Sequence, residues 1–250
     1  MASPYAKRPF VRFIVSKPWV AILLGILFIG VLLPGGSKLK PDFTYRVWFE
    51  EDDTLIQEFD AFERRFGNDE AAIIALYSPS GVFDIDTSLL IYELTERLWR
   101  VKDVIRVDSL ANFNWVHSVE GDMEVEPIFP EDDLEPYLYQ PGDPGKARAE
   151  ASSIDDAERK RIESVLAERE KVALAHETLP SYLVSKNGKA AVVLASLKPA
   201  IGNAPEYEPI VKEIRAAVEA LSNKGDHEFY AIGGPIVSHS FKEAAMGDFG

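Results

Sequence analysis

One stretch constrains this chain more than any other. From Pro18 to Ser37 there are 20 residues without a charge, and the core of the run, Trp19 to Leu33, reads WVAILLGILFIGVLL. A helix rises about 1.5 Å per residue, so such a run matches the roughly 30 Å hydrocarbon layer of a bilayer. Lys17 and Lys38 bracket it, and Trp19 stands where an interfacial aromatic belongs. Pro34-Gly35-Gly36 marks its end. The sequence therefore predicts a transmembrane helix over 18–37.

Charge is distributed around that run in one direction. No acid precedes Asp42, and Lys7, Arg8, Arg12 and Lys17 give residues 1–17 a net +4. From residue 41 onward there are 21 basic and 41 acidic residues, a net of −20. The positive-inside rule then places residues 1–17 in the cytoplasm and 38–250 outside it. Phe10, Val11, Phe13, Ile14 and Val15 alternate with Arg12 and Lys17, which predicts a short amphipathic segment on the inner leaflet. A cleaved signal peptide would share the basic start and apolar stretch. The long apolar core and the absence of an A-x-A site favour a retained anchor.

The rest has ordinary globular composition, since the chain is 46% hydrophobic and 27% charged. That excludes a wholly disordered, collagen-like or mostly membrane-embedded protein. No cysteine is present, which excludes disulfides, Cys-based zinc or Fe–S sites and thiol chemistry. A net charge of −14 argues against a nucleic-acid partner, which requires a basic footprint.

Periodicity predicts an α+β domain over residues 38–250. Phe43–Glu50, rich in aromatic and β-branched residues, reads as a strand. Residues 54–66 read as a helix with Leu55, Ile56, Phe59, Phe62 and Phe66 on one face, opened by Thr54 and Gln57 at capping-box spacing. Strands follow at Glu70–Tyr77 and Val104–Leu110, with a helix from Asp84 to Val101 between them. Phe113–Val119 and Met123–Phe129 can pair as a hairpin. Residues 130–148 read as a loop, and Ser153 to about His176 as a charged helix capped by Ser153. Ser181–Lys186 and Lys189–Lys198 flank Asn187-Gly188, the pattern of a hairpin with a type I′ turn. A helix carrying Tyr207, Ile210, Val211, Ile214, Val218 and Leu221 then leads to a strand at Phe229–Ile232. Ile236–Gly250 reads as helical. Two halves, about 43–128 and 181–235, thus carry β-α-β patterns around a variable insert over 130–180, which suggests ferredoxin-like subdomains.

Chemistry-bearing motifs are missing. His117, His176, His227 and His239 are scattered without H-x-x-x-H spacing. Gly142–Lys146 lacks phosphate-loop spacing and reads as a turn. Neighbouring side chains on a helix point about 100° apart, so Ser238-His239-Ser240 is not a nucleophile–base pair. Asp52-Asp53 and Asp132-Asp133 read as caps and solvated loops. No residue is assigned a catalytic, cofactor-binding or metal-binding role, no cofactor is expected, and the sequence gives no support for an enzyme.

Several passages, taken in order, resemble the N-terminal part of a resistance-nodulation-division (RND) transporter of the MMPL-like exporter branch. These are Phe10–Leu33 with Lys17-Pro18-Trp19; FEEDDTLIQEFDAFERRFGNDEAAIIAL from Phe49 to Leu76; Val104–Leu110 with Asn112; YLVSKNGKAAVVLASL from Tyr182 to Leu197; and FYAIGGP from Phe229 to Pro235. The match runs from about residue 10 to 250 and is weakest over 130–180. The resemblance implies a first membrane helix and a first periplasmic porter domain, in the bacterial inner membrane, of a proton-driven exporter of lipidic or amphiphilic compounds. Partners would be the lipid bilayer, an amphiphilic substrate, the remainder of the transporter bundle and further copies. It also implies that the chain is truncated before a second transmembrane helix, and that the proton-relaying carboxylates lie outside it. The alternative is a single-pass, membrane-anchored binding or sensor domain.

Overall fold

The computed structural model describes residues 16–36, 45–50, 52–67, 70–142, 153–199, 206–223 and 225–247. The expected amphipathic segment at the N-terminus and most of the Gly142–Lys146 turn lie outside the described residues. The chain divides into Met1–Asp42 and Phe43–Gly250.

The first unit holds helix α1, Pro18–Gly36. Its side chains are described as far as Leu32. Among the described residues no helix is long and apolar enough to cross a membrane.

The second unit is built on a four-stranded sheet of β1 (Ala71–Tyr77), β2 (Val104–Asp108), β5 (Ala190–Leu197) and β6 (Glu228–Ile232). Strand order is β2-β5-β1-β6, and every neighbouring pair is antiparallel. The two β-α-β stretches expected from the sequence therefore interleave in one sheet, with β5 inserted between β1 and β2. Hydrophobic alternation sets this register. Ala72, Ile74 and Leu76 of β1 stand opposite Ala195, Val193 and Ala191 of β5, and all six are buried. A slip of one residue would turn every one of them to the other face.

Two helices cover that buried face. In α3 (Ile85–Trp99), Leu90, Ile91, Leu94 and Leu98 enter the core, as their spacing predicts. Asp84 caps it, accepting hydrogen bonds from the Asp86 and Thr87 amides. In α6 (Tyr207–Ser222), Ile210, Val211, Ile214 and Leu221 are buried in the same cluster. Between β2 and β5 come the hairpin of β3 (Asn114–Val119) and β4 (Asp122–Pro127), the single-turn helix α4 (Glu131–Leu134) and α5 (Asp156–Ala175). The insert joins the core through Ile128, Phe129, Leu134, Ile162 and Leu166. Helix α7 (Gly234–Gly247) follows β6 directly.

Four local expectations are corrected. The predicted strand over Phe43–Glu50 is a 3₁₀ turn at Tyr45–Trp48. No neighbouring strand pairs with those residues, and without one β-propensity does not fix a strand. Helix α2 (Thr54–Phe66) is capped by Asp53 rather than Thr54, its carboxylate accepting from the Leu55 amide. Helix α5 is likewise capped by Asp155 rather than Ser153, its carboxylate accepting from the Ala157 and Glu158 amides. A charged oxygen gains additionally from the helix dipole.

The fourth correction concerns the Asn187-Gly188 hairpin. Only Gly188 has positive φ, at +66°, so the turn is not type I′. The Gly188 amide donates to the Ser185 carbonyl at 2.9 Å, and the Asn187 Oδ1 accepts from Ser185 Oγ and the Lys189 amide. The expected first arm, Ser181–Lys186, is mostly a turn in which the Leu179 carbonyl accepts from three successive amides. Val184 makes only isolated bridges, to Pro180 and Ala191.

Gly233 links β6 to α7 at φ +122°, where an added Cβ would lie 2.1 Å from the Ala71 carbonyl oxygen. Gly234, one residue on, has open space around that position. Gly233→Ala should therefore lower stability by about 2 kcal/mol or more through clash and strain, while Gly234→Ala changes it by less than about 1 kcal/mol. Urea melts of the two variants check this, and equal midpoints would contradict the close approach. Gly188→Val should cost about 1 kcal/mol or more at its positive φ.

Candidate functional site

The helices cover one face of the sheet, and the other is open. By register this face carries Ile73 and Ala75 of β1, Val192 and Leu194 of β5, and Tyr230 and Ile232 of β6. Tyr230 and Ile232 are about 60% exposed. Along the β2 edge the face becomes polar. Arg106 pairs with Asp108 at 2.8 Å beside Ser196 and Tyr182, over a shallow groove of about 490 Å³ that Gly233 and Gly234 also line. That ion pair raises the Arg106 pKa, first through its hydrogen bond to Asp108. The groove joins an apolar floor to one cation and one anion.

A second apolar surface lies on α2. The sequence predicts its apolar stripe to face the core. Instead Leu55, Phe62 and Phe66 are 65%, 56% and 67% exposed, and the buried positions are Asp60 and Glu63. Periodicity locates an apolar face correctly but does not supply something to cover it.

Each histidine has a local role. His117 stacks on Trp115 with ring centroids 3.7 Å apart, and its Nε2 lies 3.8 Å from both Glu124 and Glu126. Arg169 of α5 donates to Glu126 at 2.8 Å and holds its carboxyl below the ordinary range, so this cluster ties the β3–β4 hairpin to α5. His176 accepts from the Thr178 amide just beyond α5. His239 is buried on α7, with Nε2 3.3 Å from Glu243. Ser238 and Ser240 do not join it in a catalytic group, because Ser240 meets Arg215 instead.

His227 belongs to a hydroxyl chain that sequence spacing did not suggest, because its members lie far apart along the chain. Thr87 Oγ1 is 3.0 Å from His227 Nε2 and 3.0 Å from Ser78 Oγ, which in turn meets Ser80 Oγ at 3.0 Å. The chain joins the end of β1, the start of α3 and the approach to β6. Ser78 and Thr87 are buried, so these hydroxyls brace the core and do not present a nucleophile. Among the described residues no group of three His, Asp or Glu side chains is arranged to hold a metal ion. Asp53 caps α2 as expected, whereas Asp132 and Asp133, expected in a loop over 130–148, lie in helix α4, where Asp133 pairs with Arg161.

Helix α7 is fastened to α6 by ion pairs. Arg215 donates both terminal nitrogens to Glu243, and Lys242 reaches Glu208, which also receives Lys212. The hydrogen bonds from Lys212 and Lys242 depress the Glu208 pKa from 4.5 to about 2. A depressed carboxyl pKa means these contacts operate in full above the unfolded value of 4.5 and are lost as pH falls toward about 2. An NMR titration should find Glu208 still ionised at pH 3, and Lys242→Ala should raise its midpoint. An ordinary midpoint in the unaltered chain would contradict the paired geometry.

Set against known proteins, the chain matches no family model and no curated protein.

Proposed function

We propose that this chain is the N-terminal portion of a proton-driven exporter of the RND/MMPL type: its first membrane helix and first porter domain, the latter forming part of an extracytoplasmic path for lipidic or amphiphilic compounds. In this reading α1 crosses the bacterial inner membrane with residues 1–17 in the cytoplasm. The uncharged run from Pro18 to Ser37, 20 residues at about 1.5 Å each, would match the roughly 30 Å hydrocarbon layer if helical throughout. Residues 38–250 are then periplasmic. The β1-α3-β2 and β5-α6-β6 order, with all strands antiparallel, is what a ferredoxin-like porter unit would have.

The observation that carries the reading is the pairing of an uncharged apolar helix with a domain whose sheet keeps one apolar face uncovered. A domain that works alone has little use for Ile73, Leu194, Tyr230 and Ile232 on an open face. A domain that packs against other parts of a transporter, or borders an amphiphile's path, does. The proton-relaying groups and the path through the bilayer would be supplied by the remainder of the bundle. A single-pass anchored binding or sensor domain is the second reading. It is favoured by the continuous core of residues 71–236, which needs no partner to close.

Two measurements test the proposal. Reporter fusions at residues 8 and 120 should report opposite compartments, and a mature N-terminus near Lys38 would contradict the anchor. The purified chain in vesicles with an imposed pH gradient should move no amphiphile, because one helix offers neither pathway nor proton relay. Gradient-dependent efflux above that of empty vesicles would overturn the assignment of this chain to one part of a larger exporter.

A further inference from the structure

The inversion of α2 carries a conclusion about what lies next to it. In a helix on a water-facing surface, acids point outward and phenylalanines inward. Here Asp60 and Glu63 are buried and Ile56 partly so, while Leu55, Phe62 and Phe66 form an exposed stripe. Phe62 and Phe66 are in ring contact with each other at 4.9 Å. Trp48, just before the helix, is 85% exposed, the most exposed large hydrophobic side chain among those described. At about 100° per residue, Glu58 and Arg65 border the stripe on one side and Ile56 and the buried Glu63 on the other, while the stripe itself carries no charge.

We infer that α2 lies on a bilayer surface, with Leu55, Phe62 and Phe66 at the headgroup–acyl boundary and Trp48 beside them. This rests on the reading of α1 as a membrane helix. Two observations favour lipid over a second copy of the chain. Phenylalanine and tryptophan beside a charged border are the residues of an interfacial helix. A net −20 from residue 41 onward opposes the close approach of two such domains. The uncharged stripe suits a zwitterionic phosphatidylcholine surface and requires no anionic lipid.

The chain contains no cysteine, so single cysteines label cleanly. The full chain is reconstituted in phosphatidylcholine vesicles with an environment-sensitive fluorophore at Phe62→Cys, Leu24→Cys or Gln57→Cys. Gln57 is exposed on the far side of the helix from the stripe. Spin-labelled lipid should quench the probes at 62 and 24 at least twofold more than the probe at 57. A probe at 62 that is solvated, or shielded from water yet unquenched by lipid, while 24 is quenched, would overturn the inference and leave the membrane reading intact. An unquenched probe at 24 would overturn that reading and the inference with it.

Discussion

Strand β1 is the element on which the rest of the domain depends. It is hydrogen-bonded along both edges, to β5 on one side and β6 on the other, and it alternates between covered and open side chains along its length. Its covered residues receive the helix layer, and its first residue lies against Gly233. The two β-α-β stretches are joined by more than 80 intervening residues, yet they cannot form separate sheets, because β5 sits between β1 and β2. Either stretch alone would leave a gap where the other's strand belongs. The domain is therefore one cooperative unit in its core, with the hairpin and α5 fastened on by Ile162, Leu166 and the Arg169–Glu126 pair.

A sheet with one covered face has an obligation on the other. Burying apolar area is worth about 25 cal/mol per Å², and on the open face Tyr230 and Ile232 forgo most of it while Ile73, Val192 and Leu194 are half-buried. The same is true of the α2 stripe. Exposed apolar surface of this extent marks a place of contact. Three polar clusters among the described residues join elements: Ser78–Thr87–His227 ties three together, Arg215–Glu243 holds α7, and Arg169–Glu126 holds the hairpin.

Much of this was legible in the residues. Helices α3 and α6 bury the side chains their spacing assigns, because a 3.6-residue period survives any tertiary context that supplies a core. Strands β1, β5 and β6 appear where β-branched and apolar runs predict them. Sheet order was not legible, since no local feature of β5 says which two strands it will divide. The stripe on α2 is legible but its direction is not, for the same reason: period gives the face and not its neighbour. Residues 45–48 carry strand-forming side chains without a partner strand. At Asn187-Gly188 the side-chain oxygen of Asn187 bonds locally, which keeps its own φ negative and leaves Gly188 alone in the left-handed region. The absence of catalytic motifs and the scatter of the histidines were visible in the sequence, and the described residues place each histidine in a separate local contact.

The central claim is that one face of the sheet is sealed by helices and the other is open. Val192 and Val193 test it most directly, because they are adjacent, chemically identical and assigned to opposite faces of β5. Each is replaced singly by cysteine in the cysteine-free chain, and the rate of alkylation is measured under native conditions. Val193→Cys should react at least a hundredfold more slowly than Val192→Cys, gated by opening of the core. Equal rates at the two positions would contradict the account.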